Sequence, residues 1–127
     1  NIEGTFVSDI TDKNHFLFDK NHKGLFASKI WNKFDIIGEY TGVVQNELSN
    51  SDYLICFPNS EIGLSICIDA EITGNECRFI NHYKNINSKP NCKFVTTYIN
   101  QKPTILVVVI ETINKGEEIL VDYYYDF

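Results

Sequence analysis

Basic charge is scarce in this 127-residue chain: eleven lysines and arginines face seventeen acidic residues, a formal net charge of −6. That deficit argues against nucleic-acid binding through phosphates, which needs a basic surface. It suits a cationic partner such as a lysine-rich tail. Long apolar runs are lacking too. The longest, ILVVVI at 105–110, has the length of a buried strand rather than of a membrane span. Paired cysteines are absent: Cys56, Cys67, Cys77 and Cys92 lie ten or more residues apart, which excludes a CxxC motif and zinc-ribbon spacing. They read as free, mostly buried thiols of a reducing compartment, neither disulfides nor metal ligands. The first residues carry no secretory-leader pattern, and a start without Met marks the sequence as an expected piece of a longer protein. Arginine is almost missing: ten lysines accompany Arg78 alone. That single guanidinium falls in GNECRFINHYKNINSKPNC (74–92), beside an Asn-His pair.

What is present is a β pattern. A hydrophobic content of 43% with 13% aromatics suffices for one core and excludes disorder. Segments 4–10, 24–30, 35–45, 53–57, 62–69, 93–99, 104–112 and 117–123 are rich in β-branched and aromatic residues and bounded by Gly, Asn, Asp or Pro, which predicts eight short strands. NQKP at 100–103 predicts a hairpin turn between two of them. Helical periodicity is weak, leaving short helical turns at 46–52 and 73–80. The expectation is a mostly β domain of several small sheets, with 70–92 as its least strand-like and most functional-looking part.

Five segments stand in order: HKGLFA (22–27), GEYTG (38–42), CIDAEITGNECRFINH (67–82), KPNC (89–92) and KGEEILVDYYYDF (115–127). Together they resemble the SET domain, the catalytic domain of protein lysine methyltransferases, over nearly the whole chain. The resemblance implies a β-clip-like fold of small curved sheets in which the Asn-His loop and the C-terminal segment thread through each other as a pseudoknot. It also implies one domain over 1–127, without cysteine-rich zinc modules before or after it, and an intracellular, nuclear location.

The resemblance implies S-adenosylmethionine as cofactor. Asn81 and His82 would contact it, His82 mainly through its backbone, and the backbone of His22, Lys23 and Gly24 would hold its methionine part. The family pattern there is Gly-x-Gly, and His22 stands in place of the first glycine. Arg78 is expected either to stack near the cofactor or to form a structural ion pair. Tyr123 matches the family's catalytic tyrosine and Tyr40 a tyrosine of the lysine channel; alone, each would more ordinarily be a core ring with a satisfied hydroxyl. Val121 stands where many members carry Phe or Tyr, which leaves room for di- or trimethylation, and Phe127 would close the channel or cover the adenine. Lys84 replaces the zinc-binding cysteine of related enzymes, so no metal is expected.

The leading expectation is methyl transfer to a lysine on a histone tail, with Asp52, Glu61 and Glu71 as candidates for steering the basic peptide and no role for nucleic acid or membrane. The alternatives are a SET module that binds partners without turnover and a β-rich interaction domain.

Overall fold

The computed structural model describes residues 2–20, 22–41, 43–45, 54–59, 64–69 and 75–123, the segments within 43–69 by their backbone alone. Among the described residues there are ten strands and one 3-10 turn. Strand β1 (Thr5–Asp9) pairs antiparallel with β2 (Lys23–Ala27), Ser8 facing Gly24. Strand β3 (Ile36–Glu39) joins β8 (Cys92–Ile99) and β9 (Lys102–Val109) in a three-stranded sheet with β9 in the middle. Strands β4 (Val43–Gln45), β5 (Leu54–Asn59) and β6 (Leu64–Asp69) form a second such sheet around β6. The last pair is parallel and short: β7 (Asn81–His82) with β10 (Leu120–Val121).

The β8–β9 hairpin follows from its turn residues. Asn100 and Gln101 both take positive φ, 52° and 65°, and Ile99 faces Lys102. Two left-handed residues match the twist of the flanking strands, and Asn tolerates that conformation better than most. The turn is therefore tighter than the four residues expected from NQKP, and Pro103 falls inside β9. It does so where β3, whose pairing spans Leu106 to Val108, makes no claim on its missing N–H. On β8 and β9 the side chains alternate, so that Cys92, Phe94, Ile105, Val107 and Val109 bury one face of the sheet. Leu25, Trp31, Ile80 and Ile119 meet that face in one core.

Two expected strands divide. The run 35–45 becomes β3 and β4, which belong to different sheets. The run 117–123 keeps strand geometry only at Leu120–Val121, because its backbone bonds go to three partners in succession. The 3-10 turn Glu76–Phe79 lies within the expected helical turn at 73–80; Asn75 caps it, its side chain accepting from the Cys77 N–H. The other expected helical turn, 46–52, lies outside the described residues.

Candidate functional site: a threaded C-terminal segment between a polar and an aromatic cluster

The C-terminal segment holds the site together. Its first part runs along the free edge of β2: the Gly116 N–H donates to Ala27 O at 2.7 Å, Ala27 N–H to Glu117 O at 2.9 Å, and Ile119 N–H to Leu25 O at 2.8 Å. Gly116, at φ +89°, makes the turn that starts this course. The chain then passes Asn91, whose side chain donates to Glu118 O (2.8 Å) and accepts from the Leu120 N–H (2.9 Å). One amide thus satisfies a donor and an acceptor that no sheet covers. Finally β10 pairs with β7, and the Tyr83 N–H donates to Val121 O at 2.9 Å. The segment is bonded at both ends of the 81–91 loop, as in the pseudoknot that the resemblance implies.

This course delivers two unlike clusters. On the β2 side the Glu118 carboxylate, its side chain 7% exposed, rests against Gly24: a Cβ there would lie 2.7 Å from Glu118 Oε2. The glycine is needed for that approach rather than for its dihedral freedom. Asn81 Nδ2 donates to Glu118 Oε2 (2.8 Å) and to Lys23 O (3.1 Å). On the other side of Glu118, His15 Nε2 lies 2.7 Å from Oε1. His22 is exposed and turned back on Lys20 O, while the Lys23 ammonium pairs with Asp9 at the surface. It is the carbonyl of Lys23 and the bare Cα of Gly24 that face the cluster.

On the β8 side three rings meet. The buried Tyr40 ring sets its edge against Phe94, 5.7 Å between centroids, and the Tyr123 ring lies nearly parallel to Phe94 at 6.5 Å. Tyr123 is 41% exposed, and its hydroxyl donates to the Ile80 carbonyl. Its backbone N–H donates to His82 Nδ1 at 3.1 Å, and the two rings tilt together at 5.5 Å. Nδ1 thus serves as an acceptor, and Asp122 Oδ1 lies 3.8 Å from the same nitrogen.

The remaining expected site residues fall less centrally. The Arg78 guanidinium lies over its neighbour Phe79, 4.9 Å from the ring centroid, a stacking use of the planar group. Val121 is fully buried in the core cluster, with His82 as its strand partner. Lys84 follows the parallel strand in a turn. Phe127, Asp52, Glu61 and Glu71 lie outside the described residues. Cys77 and Cys92 are free, buried thiols. Burial, then the Glu76 and Glu39 charges, pushes Cys77 up to about 12, and burial, then Cys77, pushes Cys92 up. Both stay protonated and inert at neutral pH.

Four residues of these clusters had no assigned role in the sequence. Glu118 and Asn91 sit inside the quoted KGEEI and KPNC motifs, where each could have been read as a buried polar hub. Phe94 follows from the alternation of KFVTTYI. His15 carried no signal.

A SET domain family model matches residues 22–124, and the chain belongs to that family. Human histone-lysine N-methyltransferase 2D is 30% identical over 116 residues, covering 82% of this chain; the chain spans about 2% of that relative's length. Among solved structures, ATXR5 in complex with a methylated histone H3.1 superposes with a TM-score of 0.72 at 23% identity, over 95% of this chain and 58% of that one. The methyltransferase domain of human PR domain-containing protein 2 does so at 0.71 and 24%, over 99% and 80%. These likenesses bear out the mostly β fold.

SET methyltransferases use S-adenosylmethionine, and the residues present fit it. Asn81 is 9% exposed, both hydrogens of its amide are taken, and Oδ1 has no hydrogen-bond partner among the described residues. A buried acceptor without a donor is uncommon. An ammonium group, such as the cofactor's methionine part carries, would satisfy it.

Proposed function

We propose that this chain is a protein-lysine N-methyltransferase that uses S-adenosylmethionine and acts on a lysine of a histone tail. The observation that carries the reading is the convergence of Tyr40 and Tyr123, from distant parts of the chain, on one ring, Phe94, with Tyr123 directly after the β7–β10 pair. The bound cofactor supplies an activated methyl group; the residues of the chain supply the conditions for its acceptance. A lysine ε-amine has an unperturbed pKa of about 10.4 and must lose its proton to attack. Rings that exclude water disfavour the ammonium form and embrace the alkyl stem. Phenol hydroxyls orient the amine, which has to lie within roughly 3–3.5 Å of its target in line with the breaking bond. Tyr123 is the first residue for this role and Tyr40 the second. Asn81, the Lys23 carbonyl and Gly24 hold the cofactor, with His82 beside them through its backbone.

A histone tail is favoured by the net charge of −6, which attracts a basic peptide, and by the histone complex of ATXR5. Such a substrate places the protein in the nucleus. Val121 in place of a ring leaves space at the amine, and we propose that more than one methyl group is accepted.

The test is intact-mass and peptide mass spectrometry after incubation with S-adenosylmethionine and core histones, with Tyr123→Phe in parallel. A series of methyl additions on one lysine, lost in the variant, is the expected result, and its length measures the effect of Val121. Cofactor binding without any product on histones or their peptides would sink the histone assignment. Absence of cofactor binding would sink the site.

A further inference from the structure

After β1 the chain makes an excursion of successive turns, residues 10–20, most of them solvent-exposed. The Asp12 carboxylate accepts from the Asn14 N–H (2.9 Å), the His15 N–H donates to Asp12 O (3.0 Å), and the Phe18 N–H donates to His15 O (3.0 Å). From this exposed stretch one polar side chain is returned to the interior: His15, whose side chain is 9% exposed. Its two ring nitrogens have different partners. The Leu17 N–H donates to Nδ1 at 3.0 Å, so Nδ1 holds a lone pair and the proton sits on Nε2. That N–H donates to Glu118 Oε1 at 2.7 Å. The other carboxylate oxygen takes Asn81 Nδ2, and the second hydrogen of that amide goes to Lys23 O.

A continuous chain of hydrogen bonds results, from the Leu17 N–H through the imidazole to the Glu118 carboxylate, which accepts from both sides, and from the Asn81 amide on to the carbonyl of Lys23. Each link fixes the next. With the imidazole occupying Oε1, Oε2 is presented to Asn81; with Oε2 and Lys23 O taking both amide hydrogens, Oδ1 is the only part of the Asn81 side chain left to a ligand. We propose that His15 is a positioning residue for the S-adenosylmethionine site, setting the orientation of the Asn81 amide through Glu118. This rests on the cofactor-site reading given above. The turns of 10–20 thereby act as an outer wall of the cofactor site rather than as a spacer between two strands. A loop that supplies one buried, tautomer-defined donor is ordered by that bond, and the site is ordered with it.

Calorimetric titration of the chain with S-adenosylmethionine and with S-adenosylhomocysteine tests the assignment, for the natural sequence and for His15→Ala and His15→Gln. Affinities are measured at a temperature where thermal unfolding shows all three folded. Loss of a donor to a buried carboxylate is expected to weaken both ligands by about tenfold in His15→Ala. The Gln amide again donates to Oε1, so His15→Gln recovers most of the affinity. Peptide KM stays unchanged, because the aromatic cluster is untouched. Equal affinities in all three proteins overturn the positioning role while leaving the cofactor site standing. A natural chain that binds neither ligand overturns both. Should His15→Ala not fold, the ring itself reports: nitrogen chemical shifts of the unsubstituted protein at neutral pH are expected to show a neutral Nε2–H tautomer. A charged or Nδ1–H ring would break the chain of donors and the inference with it.

Discussion

The two clusters beside the threaded segment are built on opposite principles. Around Glu118 the geometry is set by hydrogen bonds: His15, Asn81 and the Lys23 carbonyl are tied to one carboxylate packed on a glycine. Around Phe94 it is set by ring contacts, with the Tyr123 hydroxyl on a backbone carbonyl. Both are delivered by the same few residues, 118–123. The difference teaches how one short segment can serve two chemistries. Hydrogen bonds fix direction, as a zwitterionic ligand requires, and rings exclude water, as a neutral amine requires. Each half should therefore fail in its own way when perturbed.

Tyr123→Phe attacks the aromatic half alone and should have the largest effect. Removing one oriented hydroxyl from a reacting centre costs on the order of 10²–10³ in turnover. Cofactor affinity is expected to stay within about twofold, since no bond of the Glu118 cluster is touched. Single-turnover methylation beside calorimetry reads both quantities. A parallel loss of cofactor affinity would show that the two halves are not separable.

Asn91→Ala cuts the segment from its support and should damage both halves together. It strands the Leu120 N–H and the Glu118 carbonyl, each worth about 1–3 kcal/mol when buried and unpaired. Urea denaturation is expected to lose roughly 2–4 kcal/mol. A loss below about 0.5 kcal/mol, the range of a neutral surface change, would mean that water replaces the amide and that the loop end does not clamp the segment.

Gly24→Ala touches the polar half alone. A methyl group 2.7 Å from Glu118 Oε2 must displace the carboxylate. A shift of this kind costs about 1–3 kcal/mol, expected as weaker cofactor binding at nearly unchanged peptide KM. Unchanged cofactor binding would remove Gly24 and Glu118 from the site.

Much of this was legible in the sequence, for stated reasons. Strands β1, β2, β5, β6, β8 and β9 announce themselves because alternation and β-branched residues are local signals. The break of 35–45 into two sheets is not local; it depends on which partner strand lies nearby, and β9 and β6 are remote in sequence. The two-residue β7 is likewise invisible without β10, since a parallel pair this short has no pattern of its own. The fold was readable because the order of the motifs carries it. Within the site, Asn81 and Gly24 stood out as motif residues, but the reason for Gly24, a carboxylate against its Cα, needs the third dimension. His15 lies in a stretch whose composition is that of any exposed turn, and its importance arises only from where the turns return it.

The smallest effect probes two buried thiols on elements that lead to the aromatic half. Cys92 starts the strand that carries Phe94, and Cys77 lies in the turn that leads to Ile80, whose carbonyl holds Tyr123. Both thiols lie above their ordinary value of 9.0, Cys77 at about 12, with burial as the first cause. The folded chain thus holds these protons longer than the unfolded one. Their contribution to stability is complete below pH 9 and is lost as pH rises from there through the folded values. The slope is at most about 1.4 kcal/mol per pH unit for each thiol. Urea unfolding between pH 8 and pH 10.5 should therefore show an alkaline decline that is shallower in the Cys77→Ala, Cys92→Ala double variant, whatever that variant loses at pH 8. At pH 9.5 the difference amounts to about 1 kcal/mol per thiol. An equally steep decline in both proteins would mean that water reaches the thiols. The dry wall on which the aromatic half depends would then not exist as described, and the contrast between the two clusters would shrink to a difference in side-chain type.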